Sequence, residues 1–118
     1  MEPTTPAEHQ LLADTHTGHL CDLRTDTERK SLSWKPTAKD AACWTDDRVV
    51  RADYLRHLLI DKKLPINLIG ARIDGDLHLE GGRAVTLNLP QSVLTGTARF
   101  GGATFTGDAV FAGATFTG

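Results

Sequence analysis

Charge imbalance, cysteine and long apolar runs are all scarce in this 118-residue chain. Thirteen Lys and Arg stand against fifteen Asp and Glu, a formal net charge of −2, which sets up no field strong enough to draw in nucleic acid or an anionic membrane. The two cysteines, Cys21 and Cys43, are too few and too far apart for the disulfide framework of a secreted domain, and a reducing compartment keeps them as thiols. The opening MEPTTPAEHQ has neither the basic nor the apolar region of a signal peptide, and no run approaches the length of a membrane span. The chain therefore reads as cytoplasmic, with no membrane segment and no direct binding of nucleic acid. The motifs GxSxG, HExxH, GxxxxGK[ST] and GxGxxG are also missing, which removes the commonest hydrolase, metalloprotease and nucleotide-binding arrangements.

What is present divides the chain in two. Hydrophobic residues at 40% and charged residues at 24% are ordinary for one globular domain. Residues 1–80 carry nearly all the charge, whereas 81–118 contains only Arg83, Arg99 and Asp108 and is dense in Gly, Ala, Thr and Phe. Within the first region, TPAE at Thr5–Glu8 has capping-box spacing with Pro6 at the first helical position, and Gly18 offers a stop, so a short helix is expected over roughly 6–16. Residues 22–45 keep no periodicity for long and contain Pro36; they read as a loop that wraps the body, pinned by Trp34 and Trp44. Over 46–64, Val49, Ala52, Leu55 and Leu59 fall on one helical face, Asp46 or Asp47 can cap the start, and Lys62 and Lys63 precede Pro65. That pattern predicts a capping helix at about 47–61.

After Pro65 the period changes. Phe100, Phe105, Phe111 and Phe116 are spaced five, six and five apart, and Ala98, Ala103, Ala109 and Ala114 each precede one by two. Residues two apart face the same way only in an extended strand. The spacing runs backwards through Leu94 and Leu89, and again through Leu79, Ile73 and Leu68, with Ala71 two before Ile73. Strands of about three residues, each followed by a turn at Gly102, Gly107, Gly113 or Gly118, cannot bury an inward pair alone. They must wind into a coil and stack, with strands roughly 4.8 Å apart and roughly 20 to 22 residues per coil for four sides. The expected lumen is lined by Ala71, Ile73, Leu79, Leu89, Leu94, Ala98, Phe100, Ala103, Phe105, Ala109, Phe111, Ala114 and Phe116. A β-sandwich of short strands is the alternative, but sandwiches rarely repeat identical residues in a five-and-six register.

The units ARFGG, ATFTG, AVFAG and ATFTG, with the earlier ARIDG, resemble the pentapeptide-repeat proteins of bacteria. The resemblance covers roughly 66–118 and implies a mainly β fold, a right-handed quadrilateral β-helix with an N-terminal helical cap. More weakly, TGHLCDL, CWTDDRVVRADYLRHLL and LIGARIDGDLHLEG are similar to the leader found ahead of the repeats in some members. The organisation expected is an N-terminal helix and irregular wrapping segment at 1–45, a capping helix at 46–64 and repeats at 66–118 that are incomplete at their C-terminal side.

Sites for chemistry are few. His16, His19 and Cys21, with Cys43 more distant, form the one conceivable zinc set, but HTGHLC has no compact zinc-knuckle spacing. Asp74, Asp76 and Glu80 beside His78 could be imagined as an acid/base group, yet on turns and outer faces no pocket raises a carboxyl pKa. Ser92 and Thr95 have no matched base. No catalytic, cofactor or metal residue is therefore assigned. The family's role as a mimic of duplex DNA at a type II topoisomerase such as gyrase needs outward rows of carboxylates. The outward positions here are Arg99, Thr104, Val110 and Thr115. The sequence thus favours a non-catalytic scaffold or protein-interaction module of unknown partner, with self-association through the C-terminal coil. The alternatives are a gyrase-directed DNA mimic and an enzyme or metal protein using residues 1–45.

Overall fold

The computed structural model describes residues 1–31 and 33–116. Helix α1 spans Pro6–Thr17 and ends at Gly18 with φ 76°, a left-handed conformation that glycine adopts without steric cost. Its N-cap is half of the expected box: Thr5 accepts a hydrogen bond from the Glu8 amide, but the Glu8 carboxylate turns to Thr4 and Arg51.

The wrapping segment is more ordered than a loop. It opens with strand β1 (Cys21–Asp22) and holds two short helices, α2 (Asp26–Arg29) and α3 (Ala38–Ala42). Each starts with a reciprocal capping box, Thr25 with Glu28 and Thr37 with Asp40, which satisfies two of the unpaired amides at a helix start. The expected helix at 47–61 is likewise corrected. Asp46–Arg48 forms a 3₁₀ turn, Val49–Arg51 is strand β2, and α4 begins only at Ala52 (Ala52–Arg56), continuing as a wider π-type turn over His57–Asp61. The β-branched pair Val49–Val50 loses rotamer freedom in a helix, and it finds a strand partner instead, with Val49, Val50 and Arg51 opposite Arg72, Ile73 and Asp74. Lys63 closes the helical segment at φ 56°, with Leu64 donating to the Leu58 carbonyl at 3.0 Å.

From Ile66 onward the chain is a succession of short strands, all paired in parallel. They are β3 (Ile66–Ile69), β4 (Arg72–Asp74), β5 (Leu77–His78), β6 (Arg83–Ala84), β7 (Leu87–Asn88), β8 (Val93–Leu94), β9 (Ala98–Arg99), β10 (Thr104–Phe105), β11 (Ala109–Val110) and β12 (Thr115–Phe116). Four sheets result: β1-β3-β7-β11, β2-β4-β8-β12, β5-β9 and β6-β10. Partners lie 21 residues apart in most pairs, as Ile66 with Leu87 and Leu77 with Ala98, and 22 apart where β11 meets β7 and β12 meets β8. The chain visits the four sheets in one fixed order, repeats the circuit, and enters it a third time.

The core explains this order. Ile66, Leu68, Ala71, Ile73, Leu77, Leu79, Leu87, Leu89 and Leu94 are buried together with Leu55, Leu58 and Leu59 of the helical segment. Strands β1 and β2 extend the first two sheets at their N-terminal side, while α4 packs on β5 and its continuation on β6. Ile60 sits directly on Gly82, where an added Cβ would come within 2.8 Å of its Cδ1. Small Gly82 and Ala84 therefore make room for the helical cap.

Candidate interaction surface

Alternation along each strand sends one residue of every triplet outward. Register aligns these into columns: Asn67, Asn88 and Val110 on the first sheet; Val49, Arg72, Val93 and Thr115 on the second; His78 and Arg99 on the third; Arg83 and Thr104 on the fourth. Carboxylates stand outward on these sheets at two further strand positions, Asp22 opposite Ile69 and Asp74 opposite Arg51, and among the described residues they form no row along a column.

The second column is covered. Residues 34–44 lie across it, with Pro36 and Ala41 buried. Arg72 Nη1 donates to the Ala41 carbonyl at 2.8 Å, Thr115 Oγ1 to the Pro36 carbonyl at 2.7 Å, and Gln91 Nε2 to the Trp34 carbonyl at 2.6 Å. Val93 is consequently fully buried although it points away from the lumen. Arg48 anchors this strap. Its guanidinium lies 3.7 Å from the Trp44 ring centroid and 5.9 Å from that of Trp34, and such stacking adds to its charge interactions. The same group donates to the Gly70 carbonyl from Nε at 3.1 Å and Nη2 at 2.8 Å, and pairs with Glu28 at 2.9 Å. Gly70 leaves room for both arginines around it, since a Cβ there would fall 2.6 Å from Arg24 Cγ and 3.3 Å from Arg48 Nη2, and the residue has φ 76°. Trp34 and Trp44 were legible as pins; Arg48, on which they close, was not singled out.

The expected lumen residues grade from buried to open. Ala71, Ile73, Leu79, Leu89 and Leu94 are buried. Ala98, Phe100, Ala103, Phe105, Phe111 and Ala114 are partly covered. Ala109 and Phe116 are exposed, Phe116 at 47%, which corrects their assignment to a closed lumen. Their strands β11 and β12 lie at the edges of their sheets, each with a neighbouring strand on one side alone among the described residues. The rings still touch in series, Phe105 to Phe100 at 6.2 Å, Phe100 to Phe111 at 5.7 Å and Phe111 to Phe116 at 5.6 Å, within the range of favourable aromatic pairs. The turn expected at Gly118 lies outside the described residues.

Ile66, Leu77, Leu87 and Val93 are buried beyond the expected set, and so are two small residues, Ala84 and Ser92. Ala84 occupies the central place in β6, where the pattern of large residues skips, and Ser92 replaces the alanine two before Leu94. The Ser92 hydroxyl is satisfied inside, accepting from the Ala71 amide at 3.2 Å and donating to the Pro90 carbonyl at 3.4 Å. A serine so placed is a structural group.

The candidate chemical groups stay dispersed. Asp74 pairs with Arg72 at 2.8 Å, Asp76 accepts from the Thr97 amide at 2.8 Å, and Glu80 meets His78 at 3.4 Å. His16 and His19 are exposed, Cys43 is exposed, and Cys21 is buried. Burial, then the charge of Asp14 and a hydrogen bond to it, then Asp22, push the Cys21 thiol up to about 12, and the side chain packs within the hydrophobic core. Among the described residues no three His, Cys, Asp or Glu side chains converge for a metal ion, and no helix is long and apolar enough to cross a membrane. Compared with models of protein families, with curated proteins and with solved structures, the chain matches none.

Proposed function

We propose that this chain is a non-catalytic pentapeptide-repeat scaffold of the cytoplasm, a right-handed β-helix closed at its N-terminal side by a helical cap, that binds a protein partner on the faces its strap leaves free. The observation that carries this reading is the recurrence of four parallel sheets at 21 or 22 residues, the geometry that the AxF spacing and the resemblance both call for. Its consequence is a regular exterior of short columns, three of them open to a partner. The DNA-mimic reading is disfavoured by the same columns, since Arg72, Arg83, Arg99 and His78 stand where rows of carboxylates would be required. An enzyme or metal protein in residues 1–45 is disfavoured by the dispersed histidines and the buried Cys21.

The test is a scan with a photo-crosslinking residue. Placed at Asn88, Arg99 or Thr104 it should join the chain to a discrete protein in cells, and placed at Lys39 on the strap it should not. Inhibition of gyrase supercoiling by the purified chain, or stoichiometric bound metal, would replace this reading with one of the other two. Backbone protection in hydrogen exchange that recurs every 21 or 22 residues would support the coil itself. Val110 and Phe116, 41% and 47% exposed on edge strands, support self-association through 109–116 as a second contact of the same scaffold.

A further inference from the structure

A cavity of about 310 Å³ lies away from the sheets, between the C-terminal half of α1, the outer side of the segment from Tyr54 to Leu64, and residues 1–3. Its size is that of the smaller ligand pockets. We propose that it binds a small amphipathic carboxylate, a short aliphatic chain ending in an acid group.

Two halves of the lining set this chemistry. Leu12, Leu58 and Leu64 provide an apolar wall, suited to a hydrocarbon chain. The polar half is made mostly of donors. Tyr54 is only 1% exposed and lines this space, so its hydroxyl is a donor held at the wall. Lys62 lines the same space and has no ion pair among the described residues. His57 gives one ring nitrogen to Asp61 at 3.1 Å, leaving the other for a second partner, and His16 contributes another imidazole. Against these stands one acidic lining residue, Glu2. A ligand with acceptors only, and a negative charge, fits that set; an amine would meet Lys62, and an alcohol would leave its charge uncompensated. This site is independent of the scaffold reading, because none of its residues belongs to a repeat column.

The test is a titration of the isotopically labelled chain followed by amide chemical shifts, with hexanoate, hexylammonium and hexanol as probes. Hexanoate should give saturable shifts at Leu12, His16, Tyr54 and Lys62 while the strand amides stay still. Lys62→Met should weaken its binding about tenfold, the loss of one charge-assisted hydrogen bond, and Tyr54→Phe should weaken it less while leaving the spectrum of the free chain folded. No saturable shift with hexanoate, equal shifts with hexylammonium or hexanol, or unchanged affinity in folded Lys62→Met would overturn the assignment.

Discussion

Arg51 surrounds the carboxylate of Glu8 with three donors, its main-chain amide, Nε and Nη2, each at 2.9 Å. Glu8 is fully buried beneath it, so this pair fastens α1 to β2, alongside the bond from Thr5 Oγ1 to the Val49 carbonyl at 2.6 Å. Burial alone would raise the Glu8 pKa; the Arg51 side-chain bonds, the backbone amides of Arg51 and Thr4, and the Arg51 charge together outweigh it and leave the group below its usual range. A depressed folded pKa means stability that is fully present above the unfolded value of 4.5 and lost as pH falls through the folded one. Unfolding followed by circular dichroism should therefore show a loss of stability below about pH 4.5 that is smaller in Glu8→Gln, the remainder coming from Asp22 and Asp40, whose carboxyls are also held below their usual range. At neutral pH Glu8→Ala should cost about 2 to 4 kcal/mol, because it strands the guanidinium of a partly buried pair.

Arg48 holds the strap by a different logic, and its removal should be local. Arg48→Met keeps apolar volume between Trp34 and Trp44 but deletes the bonds to Gly70 and Glu28. Trypsin should then cut faster at Lys35 and Lys39, with hydrogen exchange unchanged at Leu77, Leu87 and Leu89, whose amides pair within the sheets. Equal acceleration in strap and sheets would show that the strap is needed for the fold itself.

How much of this was legible in the sequence depends on the range of the signal. The repeats were readable because Ala98 and Phe100, or Ala71 and Ile73, report their own strand geometry within three residues. The strand at Val49–Arg51 was not, since its apolar residues also suit a helical face and only the distant Arg72–Asp74 decides between them. The boxes at Thr25–Glu28 and Thr37–Asp40 were in plain view; they were overlooked because helices of four and five residues leave too little apolar periodicity to notice. Arg48 gave no local sign at all, and Glu8 gave one for a different role, the capping-box spacing from Thr5. Each is defined by partners more than twenty residues away, Gly70 and Arg51, that only the folded chain brings close.

Glycines in the repeats are not equivalent, and this can be measured. A Cβ at Gly107 would lie 2.5 Å from the Val85 carbonyl oxygen and from Thr86 Oγ1, and one at Gly96 would fall on the backbone of Gly75. Both glycines let successive passes of the chain approach closely. Gly101 has nothing within 4 Å. Gly96→Ala and Gly107→Ala should each cost about 1 to 3 kcal/mol by overpacking, whereas Gly101→Ala should be neutral or stabilise by about 0.4 to 1 kcal/mol through the unfolded chain. Chemical denaturation of the three variants would rank them.

Self-association should depend on the outer side of β11 and β12. The strands are edges, with main-chain donors and acceptors directed away from β7 and β8, and such edges pair readily with another chain unless charge or a covering element blocks them. Here the nearest charged side chain in sequence is Asp108, and Val110 and Phe116 add apolar surface at 41% and 47% exposure. The strap reaches this level through the bond from Thr115 to Pro36, but it covers the outward face of the sheet and not its edge. Two copies meeting at this end would bury both pairs of apolar side chains and continue the main-chain pairing. Sedimentation should therefore show the parent chain associating with rising concentration, while Val110→Asp combined with Phe116→Asp stays monomeric with an unchanged circular dichroism spectrum, since neither side chain is buried. A parent that remains monomeric, with slow amide exchange over 109–116, would mean that these strands are stable as an open edge and that the partner of this end is not a second copy.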